Sequence, residues 1–290
     1  MNEATVIDGK LIAAQMRLEI ARDISEFKKT NNITPGLAVI LVGEHPASKL
    51  YVRHKIAACK EVGVNLFEFN MPRGTSERTL ISKIEMLNKD HKIHGILVQL
   101  PLPNSINSIN VINAISPAKD VDGFTANNLG KLITEQDCFV PCTPQGCLIL
   151  IKTVIDDLSG FNALVIGRSN IVGKPMLHVL AQENCTVTLA HSYTKNLKEL
   201  CLEADIIIAA VGIPKLIKGD WIKPGSIVID VGISYVGDKK LSGDIEFLEA
   251  KKYAKAISPV PGGVGPMTVT CLLKNTLKAA YNTCGYIPKL

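Results

Sequence analysis

Tyr51 and Lys55 stand four residues apart in a stretch, Ser48 to about Glu61, that reads as a helix and stops at Gly63. On a helix that spacing sends both side chains out of one face a turn apart. An aromatic ring beside an ammonium suits a planar substrate and a proton transfer, although amphipathic helices carry many such pairs. Gln99 is a second residue out of place, because the buried-strand run Gly95 to Leu100 should not carry an amide unless something bonds to it. At the carboxyl end of a strand that partner is a ligand or the local backbone. A third constellation is Gly167-Arg168-Ser169-Asn170-Ile171-Val172-Gly173, which follows the apolar run Ala163 to Ile166 and precedes a helical stretch. Strand, glycine loop and helix start together aim backbone N–H groups at a phosphate. Ser169 stands where G-x-G-x-x-G has its second glycine, so the fingerprint is imperfect.

The next strand ends at Ala190, 23 residues after Gly167. A site for NAD places an acid there to hold the ribose 2′-hydroxyl, and here His191-Ser192 follow instead. With no carboxylate to repel a 2′-phosphate, and with Arg168 able to fork onto one, NADP is the expected cofactor. Cys138, Cys142 and Cys147 invite a metal reading, but no C-x-x-C pair or H-E-x-x-H arrangement occurs. They are expected to be structural thiols, with no metal site.

Elements able to position these residues are legible around them. A helical pattern through Leu11, Ala14, Leu18 and Ala21 leads past Pro35-Gly36 into the buried run Leu37 to Val42. Val64 to Phe69, a helix over Ser76 to Asn88 and the Gly95 to Leu100 strand follow. The text turns loop-like between Ile115 and Thr143, where a domain boundary is expected. Beyond it come strands at Ala163 to Ile166, Thr186 to Ala190, Asp205 to Ala210 and Ser226 to Val231, a helix over Met176 to Gln182, and a closing helix from about Met267 to Tyr281. Alternation of this kind predicts an α/β protein whose second half is a doubly wound parallel sheet of about five strands.

At 290 residues, 47% apolar and 20% charged, the chain has material for two packed domains or one large one and too little charge for disorder. A net charge of +5 with scattered basic residues argues against nucleic acid. No apolar run approaches the ~20 residues that cross a bilayer, and the N-terminus lacks a signal-peptide profile. A soluble protein of the reducing cytoplasm is expected, with Cys59, Cys185 and Cys271 packed as thiols. The Y-x-x-x-K spacing is shared with short-chain dehydrogenases, but Lys55 precedes the glycine loop by 112 residues and the order excludes that family.

Six segments in order, Tyr51-x-x-x-Lys55, Gly95 to Pro103, Lys119-Asp120-Val121-Asp122-Gly123, Pro141-Cys142-Thr143-Pro144, Gly167 to Pro175 and Pro261 to Thr268, give the chain a resemblance to the bifunctional methylenetetrahydrofolate dehydrogenase/methenyltetrahydrofolate cyclohydrolase family. The resemblance implies an N-terminal folate-binding α/β catalytic domain over 1–140, a Rossmann-like NADP domain over 141–269, and a helix over 270–290 packing back onto the first domain. It also implies folate in the cleft between them and a homodimer. It assigns Lys55 as general acid/base, Gln99 as its companion, Tyr51 to stacking on folate, and Asp122 to the pterin N–H edge. Val52, Val98, Leu100, Pro261, Gly262, Gly263, Val264 and Gly265 are implied around the substrate, and Gly167, Arg168, Ser169, Ser192 and Ile233 around NADP. The implied chemistry is hydride loss from 5,10-methylenetetrahydrofolate to NADP, then hydrolysis to 10-formyltetrahydrofolate, with proton transfers suited to a lysine of lowered pKa. Two other readings are a dehydrogenase of the shikimate type, which lacks the Asp-Val-Asp-Gly and Pro-Gly-Gly-Val-Gly-Pro segments, and a nucleotide-binding regulator without turnover.

Overall fold

The computed structural model describes residues 3–43, 46–236 and 240–285, without the side chains of residues 46–51 and 240. The chain forms two compact units. One comprises Ala14–Cys142 with the chain from Val269 onward; the other comprises the residues up to Ala13 with Thr143–Thr268. Each passage from one to the other lies inside a helix: Gly9–Asn31, Cys142–Lys152 or Val264–Thr283.

The unit holding Lys55 has a three-stranded parallel sheet in the order Asn65–Met71, Gly36–Val42, Gly95–Val98. The central strand, Gly-Leu-Ala-Val-Ile-Leu-Val, is buried at every residue, as a parallel strand covered on both faces must be. Beside the sheet runs the Glu77–Lys89 helix, started by Ser76, whose hydroxyl accepts from the Thr79 N–H at 3.1 Å. Leu80, Ile84 and Leu87 recur on its buried stripe and pack with Ala38, Ile40, Ile96 and Val98. Each such fully buried aliphatic side chain contributes about 1.5–3 kcal/mol. The Gly95 strand closes at Val98, so Gln99 is the first residue beyond it and not an interior one.

The unit holding Gly167 is built on a six-stranded sheet, parallel at every pairing, in the order Thr5–Val6, Ala256–Ile257, Ile227–Asp230, Ile206–Ala209, Asn162–Ile166, Thr186–Ala190. Chain order reverses between the Asn162–Ile166 and Ile206–Ala209 strands, and the crevice outside their carboxyl ends is where doubly wound sheets bind ligands. Leu164, Ile166, Ile207, Val228 and Ile257 form one side of its core.

The sheet has six strands where the sequence suggests about five and places four; the two it does not place are Thr5–Val6 and Ala256–Ile257, the first from the far end of the chain. Thr5 and Val6 pair with Ala256 and Ile257, so the residues up to Ala13 belong to the Gly167 unit and not to a domain over 1–140. Two-residue strands carry no periodicity by which a sequence reading would find them. A second difference lies at Pro141 to Pro144, where the loop-like text begins the Cys142–Lys152 helix. Pro144 sits in its first turn, where proline costs no hydrogen bond.

Candidate active site

Lys55, on the Pro46–Val62 helix, is 8% exposed. Its Nζ donates to Gln99 Oε1 at 3.0 Å. The Gln99 N–H donates to the Ile40 carbonyl at 2.9 Å, carrying the strand ladder one residue further, and its Nε2 donates to the Leu100 carbonyl at 2.8 Å. That second bond turns the amide so that its oxygen meets Lys55. The neutral amide oxygen fixes the position of the Lys55 nitrogen by a hydrogen bond without adding a second charge beside it. Val98 is buried in the strand and Leu100 is half-buried beyond it. Val52 lines a cavity of about 610 Å³ with Leu41, Arg53, Ile56 and Met71. Tyr51 lies one turn before Lys55 in the same helix, and its side chain is outside the described residues.

The two aspartates of Asp120-Val121-Asp122-Gly123 do different work. Asp120 is buried and accepts from the Phe124 N–H at 3.1 Å, the Thr125 N–H at 2.8 Å and Asn128 Nδ2 at 2.9 Å, so it is spent on shaping the loop. Val121 fills the space beside Gly95, where a Cβ would approach it to 2.7 Å. Gly123 has φ +72°, and a Cβ there would lie 2.3 Å from the Phe139 carbonyl. Asp122 keeps its carboxyl for other partners. Burial pushes its proton affinity up, the Lys55 ammonium opposes that rise, Asp120 adds to it, and a hydrogen bond from Cys142 opposes it.

Cys142 and Asn275 complete this cluster, and sequence reasoning assigned neither to it. The Cys142 thiol is pushed well above its ordinary range by burial and the Asp122 charge, and its one S–H is shared between Asp122 and the Val121 carbonyl, 3.3 Å from the sulfur. Asn275, buried on the Val264–Thr283 helix, donates through Nδ2 to the Val121 carbonyl at 2.9 Å and the Val140 carbonyl at 3.1 Å. A single amide thus ties together the residues that precede Asp122 and Pro141. An asparagine inside a helical stretch gives no sign of this from the sequence.

In the other unit, Gly167 has φ +116° at the point of chain reversal, and a Cβ there would fall 2.2 Å from the Ala210 carbonyl. A Cβ on Gly173 would fall 1.9 Å from the Gly167 carbonyl. These two glycines let the loop and the Gly173–Gln182 helix close onto the sheet. Ser169 Oγ accepts from the N–H groups of Val172 at 3.1 Å and Gly173 at 3.4 Å, and keeps its own O–H to donate. Ser192 is exposed in a turn closed by the His191 N–H to Thr194 Oγ1 at 2.8 Å. Arg168, also exposed, lies over the Tyr193 ring, 5.6 Å from its centroid. A glycine cradle at the switch point, a free hydroxyl and an arginine fit a phosphorylated dinucleotide.

Ile233 is 38% exposed, and a Cβ added at Gly265 would lie 3.8 Å from its Cδ1. Pro261 to Gly263 form a loop in which the Gly262 carbonyl accepts from the Lys10 N–H at 2.9 Å, while Val264 and Gly265 begin the closing helix. Two buried acids brace the neighbouring loops. Asp230 accepts from the N–H groups of Gly232, Asp244 and Ile245, and Asp244 from those of Val211 and Gly212. Burial lifts the Asp230 carboxyl to about 7 against those three bonds. Among the described residues no group of three or more His, Cys, Asp or Glu side chains is arranged to hold a metal ion.

Family models match both halves of the chain. Residues 7–122 match the tetrahydrofolate dehydrogenase/cyclohydrolase catalytic domain, and residues 141–284 the NAD(P)-binding domain of the same family. The chain is 55% identical over 294 residues to the bifunctional protein FolD of Paramagnetospirillum magneticum, covering 100% of this chain and 98% of that one. Among solved structures it is similar to the bifunctional FolD methylenetetrahydrofolate dehydrogenase/cyclohydrolase of Campylobacter jejuni, with a TM-score of 0.94, 43% identity, and coverage of 97% and 99%. It is also similar to the Trypanosoma brucei FolD enzyme complexed with NADP and an inhibitor, with a TM-score of 0.94, 37% identity, and coverage of 98% and 99%. Shikimate dehydrogenase of Aquifex aeolicus shares the fold alone, at 14% identity and a TM-score of 0.52.

Proposed function

The chain belongs to the tetrahydrofolate dehydrogenase/cyclohydrolase family, and on that premise we propose how its own residues divide the two reactions. The protein oxidises 5,10-methylenetetrahydrofolate to the methenyl form with NADP and hydrolyses the product to 10-formyltetrahydrofolate. NADP supplies the hydride acceptor. Gly167, Arg168, Ser169, Ser192 and Ile233 hold it: the glycines admit the backbone to the pyrophosphate, and Arg168 and Ser192 take the 2′-phosphate. Folate is held by Asp122, whose carboxylate accepts two adjacent N–H donors of the pterin edge, and by Tyr51, whose ring covers a planar face. Val52, Val98, Leu100 and the Pro261 to Gly265 segment complete the substrate's surroundings.

Hydride loss leaves a cation that the adjacent folate nitrogen stabilises, so in that step the protein chiefly positions and excludes water. Hydrolysis is different, because water adds to the methenyl carbon while a C–N bond breaks. Acting as the neutral amine, Lys55 takes a proton from the attacking water, becomes the ammonium and passes a proton to the leaving nitrogen, while Gln99 keeps its nitrogen at the reacting carbon. The Lys55–Gln99 hydrogen bond at 3.0 Å, made by a nearly buried lysine to a neutral acceptor, is the observation that carries this reading. The test is spectrophotometric: with methylenetetrahydrofolate and NADP the purified protein should form NADPH and 10-formyltetrahydrofolate. NADPH formation with no hydrolysis beyond the spontaneous rate would remove the role given to Lys55.

We further propose a cytoplasmic homodimer. The eight cysteines are free thiols, in keeping with a reducing compartment. The Thr186–Ala190 strand is an outer strand of its sheet with Val187 and Leu189 only half-buried, an edge that a second copy would cover. Sedimentation at micromolar concentration should give about twice 31.3 kDa, and a species of the single-chain mass would refute the dimer.

A further inference from the structure

Tyr193 is 79% exposed, an unusual position for a ring of that size. Its backbone is not loose: the Tyr193 N–H donates to His191 Nδ1 at 3.2 Å, and the Thr194 N–H to the His191 carbonyl at 2.8 Å. The His191 ring stands edge-on to it, with centroids 6.1 Å apart and planes at 72°. On this fixed turn the tyrosine presents its face to Arg168, whose guanidinium carbon is 5.6 Å from the ring centroid. Arg168 forms no ion pair among the described residues.

The choice of partner matters chemically. A carboxylate beside Arg168 would hold it but spend its N–H fork and repel an incoming phosphate. An aromatic face attracts the cation through its quadrupole and consumes none of the five donors. The same turn carries Ser192, so one four-residue segment delivers a hydroxyl and a ring to the place where an NAD site has its acid. We infer that Tyr193 is a positioning residue for cofactor choice: its ring holds the Arg168 guanidinium over the crevice with all its donors free for a 2′-phosphate. This rests on the reading of Arg168 as the 2′-phosphate ligand.

Calorimetric binding of 2′,5′-ADP and of 5′-AMP to the cofactor-free full chain tests both together. Arg168→Ala should weaken 2′,5′-ADP by roughly 10- to 150-fold with little change for 5′-AMP. Tyr193→Ala should weaken 2′,5′-ADP by about two- to fivefold, leave 5′-AMP unchanged, and add nothing in the Arg168→Ala background. Tyr193→Phe, which keeps the ring, should bind both as wild type does. In turnover, Tyr193→Ala should raise KM for NADP by the same two- to fivefold factor at unchanged kcat. An effect of Arg168→Ala alone, with Tyr193→Ala indistinguishable from wild type, would overturn the inference and leave the Arg168 reading intact. Equal loss of both nucleotides in Tyr193→Ala would also overturn it, since the ring would then act on the shared adenosine. No effect of Arg168→Ala would overturn the reading beneath it.

Discussion

Withdrawal from water raises the proton affinity of Asp122, and the Lys55 ammonium and the Cys142 thiol restrain that rise. A carboxylate pairs with the pterin edge only when ionised, so folate binding should weaken as pH falls at a pH above the ordinary aspartate range. Asp122→Asn should flatten that limb of a KM profile and weaken folate by roughly 10- to 150-fold, lowering both activities together. A variant whose folate KM keeps the wild-type pH profile would show that another group is titrating. Gln99 was legible as an amide in an apolar strand and Lys55 from its helical spacing to Tyr51, whereas Asp122, in loop-like text, was assigned only through the family resemblance. Cys142 and Asn275 were not legible, since their roles come from contacts between segments 133 residues apart, a distance at which sequence pattern carries no information.

Secondary-structure elements carry these side chains to their places, and two glycines do this for the cofactor loop. A Cβ at position 173 would sit 1.9 Å from a backbone carbonyl, which no side-chain movement can relieve. Gly173→Ala should therefore cost about 1–3 kcal/mol in chemical denaturation and raise KM for NADP more than KM for folate. Wild-type affinity for NADP in this variant would mean that the close approach is dispensable. The strand, loop and helix around Gly167 could be read from apolar run and glycine spacing, even with Ser169 in the second glycine's place. The Thr5–Val6 and Ala256–Ile257 strands could not, because hydrogen bonding to a sheet, and not a repeating pattern of their own, makes them strands.

For the molecule as a whole, stability should depend on pH through Asp230. Its carboxyl is lifted from 3.8 to about 7 by burial, so the native state binds a proton that the unfolded chain releases. The resulting stabilisation is fully present below pH 4 and disappears as pH rises through 7, on the order of 4 kcal/mol in all. Urea denaturation from pH 5 to 8 should show this decline in wild type and a shallower one in Asp230→Asn; equal slopes would assign it to other groups. Catalysis divides the molecule differently, since hydride transfer draws no proton from the protein while hydrolysis needs one taken and one returned. The most direct test is the fate of the methenyl intermediate in Lys55→Met, followed spectrophotometrically with methylenetetrahydrofolate and NADP. NADPH should still form, at a rate reduced only by looser folate positioning, while hydrolysis falls by roughly 10²–10⁴-fold and methenyltetrahydrofolate accumulates. Loss of NADPH formation and hydrolysis in equal proportion, with folate still bound, would contradict the account, because Lys55 would then serve the hydride step as well.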